Sequence, residues 1–166
     1  MRILLVVSKT IRTNFWKKYS LNEFNQVEWE TLCDGCGKCC LIKLENTETA
    51  DVHYTKIACR LFDDKTCKCG NYQLRQKLVS NCVILTKNNI KAAYGWMPKT
   101  CAYRLIHEGK DLKPWHHLIS GSTKTVHEAG ISVQNSTIPE YDIPENQWEN
   151  YIQPLDGYLL SIMKVF

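Results

Sequence analysis

Nine cysteines dominate the chemistry that this 166-residue chain could perform. Their frequency is several times that of an ordinary globular protein, and none follows residue 101. Such thiols could form disulfides, bind metal, or be buried without a chemical role. The nine are Cys33, Cys36, Cys39, Cys40, Cys59, Cys67, Cys69, Cys82 and Cys101.

Three observations argue against disulfide bonds. The longest apolar run, residues 3–7, is shorter than the about 7–15 apolar residues of a signal peptide and the about 20 of a membrane helix. We therefore expect a cytoplasmic protein with no membrane partner, whose thiols face a reducing compartment. The cysteine count is odd, and adjacent Cys39 and Cys40 have Cα atoms only about 3.8 Å apart. Clustered thiols are not incidental, so metal binding is the favoured interpretation.

Residues 33–40 have the spacing C-x2-C-x2-C-C, which suits a turn that wraps an ion. Gly35 and Gly37 permit the positive φ angles that such turns need. Lys38 adds a positive charge, which we expect to lower the pKa of the neighbouring thiols. If the segment is helical instead, Cys33, Cys36 and Cys40 share one face, with Cys39 off it.

The downstream cysteines can complete the coordination. We predict a strand over Val52–Ala58 with Cys59 at its end, followed by a turn at residues 63–66. Cys67 and Cys69, two positions apart, are then expected on one face of an extended segment.

The number and kind of centres stay open at this stage. Nine thiols could fill two four-coordinate sites with one left over, or hold one iron–sulfur cluster beside structural thiols. A bacterial ferredoxin run also begins C-x2-C-x2-C, but its fourth cysteine comes three residues later and precedes proline. Here Cys40 follows at once and Leu41 comes next.

The remaining pattern predicts a small, irregular, single α+β domain with several short helices and a few short strands, organised around the cysteines. Ser20 and Glu23 form a capping box that opens a helix leading into Cys33. Further helices are predicted over residues 100–108, with Gly109 after the end, and over 123–129, before Gly130. A short strand at 131–133 and a last helix from Pro144 to about residue 152 follow.

Five histidines could add nitrogen ligands, and His116 and His127 are the two to test first. For each histidine, a cap or surface position is the more frequent explanation. The five tryptophans are explained best as packing residues.

Several stretches resemble the bacterial cysteine-cluster family with the CxxCxxCC signature, in its YcgN-type branch. They are 15–17 (FWK), 29–40 (WETLCDGCGKCC), 58–61 (ACRL), 67–72 (CKCGNY), 98–104 (PKTCAYR), 109–112 (GKDL), 115–116 (WH), 119–121 (ISG) and 126–133 (VHEAGISV). The likeness covers residues 15–133, leaving 1–14 as an N-terminal extension and 134–166 as a C-terminal segment.

Members of this family are described as zinc- or iron-chelating. The resemblance implies metal roles for seven cysteines of the wider family pattern, Cys33, Cys36, Cys39, Cys40, Cys59, Cys69 and Cys82. Cys67 and Cys101 belong to the narrower branch. The wider family's Cys-x-x-Tyr-x-x-Arg-Pro run is matched by Cys69, Tyr72 and Arg75, with Gln76 in place of proline.

We therefore expect a cytoplasmic protein that binds zinc or iron, with an iron–sulfur cluster as one form of the iron centre. Two alternatives stay open: a metal-dependent modifying enzyme, because the wider family includes flagellin lysine methylases, and a zinc-stapled interaction or nucleic-acid module. The formal charge of +4 is scattered along the chain, so we expect no nucleic-acid partner. No G-x-G-x-x-G nucleotide fingerprint is present.

Overall fold

Short helices and short strands make up residues 10–155, the part of the chain that this computed structural model describes. Each α-helix in this part has four or six residues, so packing must hold it in place. None of these helices has the length and apolarity needed to cross a bilayer. The α-helices are α1 (Phe15–Lys18), α2 (Gln26–Thr31), α3 (Arg75–Leu78), α4 (Ile90–Ala93), α5 (Ala102–His107), α6 (His117–Ser120) and α7 (Thr125–Glu128).

Turns of 3-10 helix join these elements. They are Leu21–Glu23, Lys38–Cys40, Tyr94–Trp96, Glu140–Asp142 and Glu145–Tyr151. Together with the strands described next, they confirm the predicted small α+β fold.

A four-stranded sheet is built around β2 (Val52–Ala58), a strand that the sequence predicted with the same bounds. β1 (Leu41–Glu45) pairs with it in antiparallel orientation. β5 (Ile138–Pro139) pairs with β2 in parallel, and β6 (Ile152–Gln153) pairs with it antiparallel. One strand therefore joins segments from two distant parts of the chain.

A two-stranded hairpin consists of β3 (Phe62–Asp63) and β4 (Lys68–Cys69). The predicted turn lies between these strands. The Asp63 carboxylate closes it by accepting hydrogen bonds from the Lys65 backbone N–H (2.9 Å) and the Thr66 hydroxyl (2.8 Å).

The predicted helix from Ser20 to the first cysteine is broken in two. The Ser20 backbone N–H donates to the Glu23 carboxylate, as a capping box requires, and the Ser20 hydroxyl donates to the same carboxylate. The box encloses only a 3-10 turn. Phe24 is then extended at φ −63° and ψ 135°. A second capping box, between Asn25 and Glu28, starts α2. The continuous helix was a wrong prediction because this second box restarts the chain.

The later helices agree better with the sequence. Both α5 and α7 lie inside their predicted ranges, and each ends before a glycine with positive φ, Gly109 at 71° and Gly130 at 66°. Pro144 precedes a helix as predicted, although the helix is 3-10 and Pro144 is its N-cap. The strand predicted at residues 131–133 is wrong, because the Val133 N–H bonds to the Cys36 carbonyl outside any sheet ladder.

Two separate hydrophobic clusters contain the residues that flank segment 33–40, Leu32 in one and Leu41 in the other. The larger, here called the aromatic core, contains edge-on Phe15 and Phe24 rings with centroids 4.9 Å apart. In it the Tyr103 hydroxyl donates to the Trp29 carbonyl at 2.8 Å. Its buried members are Phe15, Phe24, Trp29, Leu32, Ile90, Ala93, Met97, Ala102, Tyr103 and Leu112. The smaller, here called the sheet core, consists of Leu41, Ala58, Cys67 and Val133.

Candidate metal centre

The cysteine loop, residues 33–40, is anchored where α2 ends. Leu32 is buried in the aromatic core, and its carbonyl lies 3.0 Å from His116 Nε2. Asp34 then accepts a hydrogen bond from the Cys36 backbone N–H at 3.0 Å. The start of the loop is therefore fixed by His116 at Leu32 and by the Asp34 carboxylate at Cys36.

Two glycines give the loop its course, as the sequence predicted. Gly35 and Gly37 have φ angles of 75° and 77°. A Cβ at Gly37 would lie 2.6 Å from the Phe62 ring and 2.9 Å from Val133, whereas the space at Gly35 is open. The fully helical alternative for this segment is wrong, since only Lys38–Cys40 forms a 3-10 turn.

Backbone pairing brings two further cysteines close to Cys40, the last residue of the loop. The Cys59 N–H donates to the Cys40 carbonyl at 2.9 Å, because β1 and β2 are paired here. The Phe62 N–H donates to the Cys59 carbonyl at 2.8 Å, and Phe62 in turn pairs with Cys69 across the hairpin. The sheet and the hairpin together place Cys40, Cys59 and Cys69 near one another.

Two cysteines arrive from more distant elements. Cys101 is the N-cap of α5. Burial raises the pKa of its thiol to about 12, and negative charge at Asp34 and Cys39 adds to the rise. Cys82 follows α3, and its pKa is raised by burial and by the charges of Cys69 and Cys39, while Arg75 lowers it.

Electrostatic neighbours divide these thiols into two groups. Burial raises the pKa values of Cys33 and Cys36, and the charges of Cys39 and Cys101 raise them further. Burial also raises the pKa of Cys59, with Glu140, Cys82 and Cys69 contributing. The first group is Cys33, Cys36, Cys39 and Cys101, and the second is Cys40, Cys59, Cys69 and Cys82. Cys39 links the groups, because its charge acts on both Cys40 and Cys82.

The two groups touch at Cys39 and Cys40, whose Sγ atoms are 4.0 Å apart. A hydrogen bond from Cys40 lowers the pKa of Cys39 to about 7, and the Lys43 ammonium lowers it as well. The same hydrogen bond raises the pKa of Cys40 well above its usual value. One thiol of the pair is thus prepared to ionise first.

Lys43, and not Lys38, is the cation beside these sulfurs. The Lys43 ammonium donates to the carbonyls of Cys39 and Leu41, both at 2.8 Å, and lies 5.1 Å from the Trp96 ring centroid. Lys38 is buried and donates to the Leu155 carbonyl at 3.4 Å. The expected role of Lys38 is therefore wrong, because its side chain turns away from the thiols.

Cys67 stands apart from the other eight cysteines. Its φ of 54° turns the chain, and only Lys68 and Cys69 continue as strand. It is buried in the sheet core, where burial raises the pKa of its thiol to about 11. The expectation that Cys67 and Cys69 share one face is wrong, because the left-handed residue breaks the alternation.

The histidines singled out from the sequence have other partners. His116 is 2% exposed, with Nε2 beside the Leu32 carbonyl and Nδ1 accepting from the Leu118 N–H at 3.1 Å. Both ring nitrogens are therefore engaged, and His116 serves as the N-cap of α6. His127 Nδ1 lies 2.7 Å from the Ser132 hydroxyl.

Known proteins are similar to this chain in sequence. Residues 32–102, which contain all nine cysteines, match the CxxCxxCC family, described as "Putative zinc- or iron-chelating domain". A UPF0260 protein of Rhodobacter capsulatus is 49% identical over 146 residues, covering 88% of this chain and 97% of that protein. The chain belongs to the UPF0260 family.

Other UPF0260 proteins are similarly close. One from Mesorhizobium japonicum is 52% identical over 124 residues, 75% of this chain and 83% of its own length. One from Pseudomonas putida is 46% identical over 138 residues, 83% of this chain and 91% of its own. UPF0260 is the YcgN family, so the resemblance identified from the sequence is confirmed. No solved structure matches this UPF0260 chain significantly.

The fit of a metal to this UPF0260 protein rests on donor chemistry. Between residues 10 and 155, no three Cys, His, Asp or Glu side chains are placed to hold one ion as they stand. All nine cysteines are free thiols, however, and eight are electrostatic neighbours. Thiolate is the ligand that zinc and iron–sulfur centres prefer. The donor set fits these metals, and the thiols must draw closer to bind one.

Two features of the UPF0260 site were absent from the sequence prediction. Asp34 orders the loop through the Cys36 N–H and raises the pKa of the nearby thiols. Its position after Cys33, before a glycine, is typical of such turns and could have indicated it. Lys43 left no local signal, because its approach to Cys39 depends on the start of β1.

Proposed function

We propose that this UPF0260 protein binds zinc or iron through thiolates contributed by eight of its nine cysteines. One observation carries the proposal: the pairing of β1 with β2 and of the two hairpin strands brings Cys59 and Cys69 close to Cys40, at the end of the cysteine loop. The bound ion would cross-link segments that are far apart in sequence. The ligands are Cys33, Cys36, Cys39, Cys40, Cys59, Cys69, Cys82 and Cys101, without Cys67.

Metal binding is favoured here because buried, neighbouring thiols are costly to ionise without a cation. Burial raises the pKa of Cys33, Cys36 and Cys59 because an isolated thiolate loses hydration and is repelled by its neighbours. A divalent cation reverses this balance, since it attracts every thiolate at once. The arrangement is therefore costly for free thiolates and favourable for metal-bound ones.

Domain extent and location follow from the same argument. We infer that residues 15–133 form the metal-binding domain, with residues 134–155 packed onto it through β5 and β6. Residues 1–9 and 156–166 of the predicted terminal segments lie outside the described part of the chain. A cluster of reduced thiols requires a reducing compartment, so we infer a cytoplasmic location.

The experiment is elemental analysis of the full chain purified without air, expressed as metal per chain. We expect zinc or iron at one or more equivalents. Zinc is colourless, whereas an iron–sulfur centre is brown, so absorption separates the two. Cys36→Ser should lower metal content, and the matched variant Cys67→Ser should leave it unchanged. Metal-free protein from iron- and zinc-supplemented cells would contradict the proposal.

A further inference from the structure

We propose that the eight thiols form two separate four-sulfur metal sites that meet at the Cys39–Cys40 peptide. This inference rests on the proposed function and assigns its ligands. Site one takes Cys33, Cys36, Cys39 and Cys101, and site two takes Cys40, Cys59, Cys69 and Cys82. Each would hold one metal centre of the tetrathiolate class.

Site two is assembled by strand pairing. Cys40 and Cys59 are joined by a backbone hydrogen bond of 2.9 Å at the start of β1 and the end of β2. Cys69 is one hairpin pair away, opposite Phe62, whose N–H bonds to the Cys59 carbonyl. Cys82 is assigned as the fourth member because it is the one remaining thiol outside the loop, once Cys67 in the sheet core and Cys101 at α5 are set aside. Its electrostatic neighbours are Cys59 and Cys69 of this site and Cys39 at the junction. None of these positions belongs to the cysteine loop before Cys40.

Site one is assembled by the loop itself. Cys33, Cys36 and Cys39 lie three apart in a segment that turns at two positive-φ glycines. Cys101, held at the N-cap of α5, is the one distant member. Its backbone carbonyl also starts that helix, because the Leu105 N–H donates to it at 2.9 Å. Cys101 packs against the aromatic core that contains Leu32, the residue before Cys33, so this site joins the loop to a helix terminus with no strand involved.

The Cys39–Cys40 junction explains why the eight thiols divide into two groups of four. Lys38–Cys40 is a 3-10 turn, in which successive side chains diverge by about 120° because there are three residues per turn. Cys39 and Cys40 therefore cannot both point along one direction, although their Sγ atoms are 4.0 Å apart. Zinc also accepts only four protein ligands. Cys39 is therefore assigned to site one and Cys40 to site two.

Each site also has a cation at its edge. Four thiolates around a divalent ion carry a net charge of −2, which a nearby ammonium or guanidinium offsets. The Lys43 ammonium bonds to the Cys39 and Leu41 carbonyls at the junction. The Arg75 guanidinium is an electrostatic neighbour of Cys82 in site two. Asp34 and Glu140 lie at the edges as well and oppose part of this compensation.

The test is a cobalt titration of the metal-free full chain under reducing, anaerobic conditions. Bound Co²⁺ replaces zinc and gives a sulfur-to-metal charge-transfer absorption that counts its thiolate ligands. We expect saturation at two equivalents. The double variant C33A/C101A should saturate at one, and so should C69A/C82A, each with about half of the charge-transfer absorption. C67A, the matched control, should retain both equivalents.

The possible failures are distinguishable. Saturation of the unaltered chain at one equivalent would overturn the two-site assignment and leave the proposed function standing. Loss of both equivalents in either double variant would overturn it too, provided that circular dichroism shows the variant folded. No binding of cobalt by the unaltered chain would contradict the proposed function itself. The count on the unaltered chain needs no variant to fold.

Discussion

The aromatic core and the sheet core lie on opposite ends of the cysteine loop, and they differ in what holds them together. The aromatic core contains ten buried residues, and its rings pack edge to face. The sheet core contains four buried residues, one of which is Cys67. Since burying a large apolar side chain stabilises a fold by about 1.5–3 kcal/mol, the aromatic core has much the larger hydrophobic stabilisation.

This difference indicates where a bound metal would contribute most to stability. The sheet core is held by strand ladders, several of them only two residues long, and such short ladders are weak without further support. Three of the proposed ligands, Cys40, Cys59 and Cys69, lie along this weaker side, at the ends of β1, β2 and β4. The proposed metal ligation would therefore supplement the small apolar core that the described residues provide on this side.

Removal of the metal should produce the largest difference between the two regions. After chelation under reducing conditions, we expect amide exchange in residues 33–40 and in the β3–β4 hairpin to accelerate at least about a hundredfold, because thiolate sites contribute ~10 kcal/mol or more. Amides of α5 should lose only a little protection against exchange, since the packing of this helix is apolar. Hydrogen exchange with mass spectrometry measures both regions in one sample. Equal acceleration everywhere would show that the two cores are one cooperative unit.

Truncating the aromatic core should give the opposite pattern. Phe15 is fully buried, so Phe15→Ala should lower the free energy of unfolding by about 3–5 kcal/mol. Metal per chain should stay unchanged in protein that remains folded. Ile11→Ala is the matched control because Ile11 is half exposed, and we expect a change within about 0.5 kcal/mol. Urea unfolding followed by tryptophan fluorescence gives both values. A Phe15→Ala protein of normal stability but low metal content would reverse the assignment of roles.

A pair of glycines tests how the loop is attached to the sheet core. Gly37→Ala combines left-handed strain with a clash against Phe62 and Val133, so we expect a loss of about 2–4 kcal/mol. Gly35→Ala meets open space and should lose only the strain, about 1–2 kcal/mol. Chelator competition should show weaker metal binding in the first variant. Equal losses would mean that the approach to Phe62 is unimportant.

The smallest effect expected is a pH dependence confined to the aromatic side. Hydrogen bonding to Arg12 lowers the pKa of Glu28 to about 2, and the ion pair spans 2.6 Å. A depressed carboxyl pKa stabilises the fold above the unfolded value near 4.3, and this stabilisation is lost as pH falls towards 2. Glu28→Gln should therefore remove about 2 kcal/mol of stability at pH 7 and less at pH 3.

The measurement for Glu28 is urea unfolding at both pH values, with exposed Glu48→Gln as the control. Comparing each variant with the unaltered chain at the same pH cancels acid effects on the thiols. An equal deficit at pH 7 and pH 3 would show that the Glu28 charge makes no contribution.

Local signals in the sequence were sufficient for part of the fold. The alternating pattern of β2, the glycines that end α5 and α7, and the positive φ of Gly35 and Gly37 all depend on neighbouring residues only. The capping box at Ser20 was identified correctly, but the sequence did not show that Asn25 would start a new helix. Phe24, extended and buried between the two caps, interrupts the helix.

Side-chain direction in the site could not be predicted in the same way. Lys38 and Lys43 are both close in sequence to Cys39, yet only Lys43 reaches it, because the β1–β2 register turns it that way. Cys67 and Cys69 have the spacing of a shared face, and one left-handed residue separates them. The type of chemistry was evident from composition, whereas its partners depended on tertiary structure.

The position of β2 has a practical consequence for anyone shortening this chain. The stretch that matches the CxxCxxCC family ends at residue 102, and a fragment with those limits would lack Phe15, Phe24 and Leu112. It would also leave β2 without β5 and β6, exposing the backbone of Ile57 and Thr55 as an unprotected edge. Expression of such a minimal fragment should yield aggregates, and boundaries that include residues 10–155 should be chosen instead.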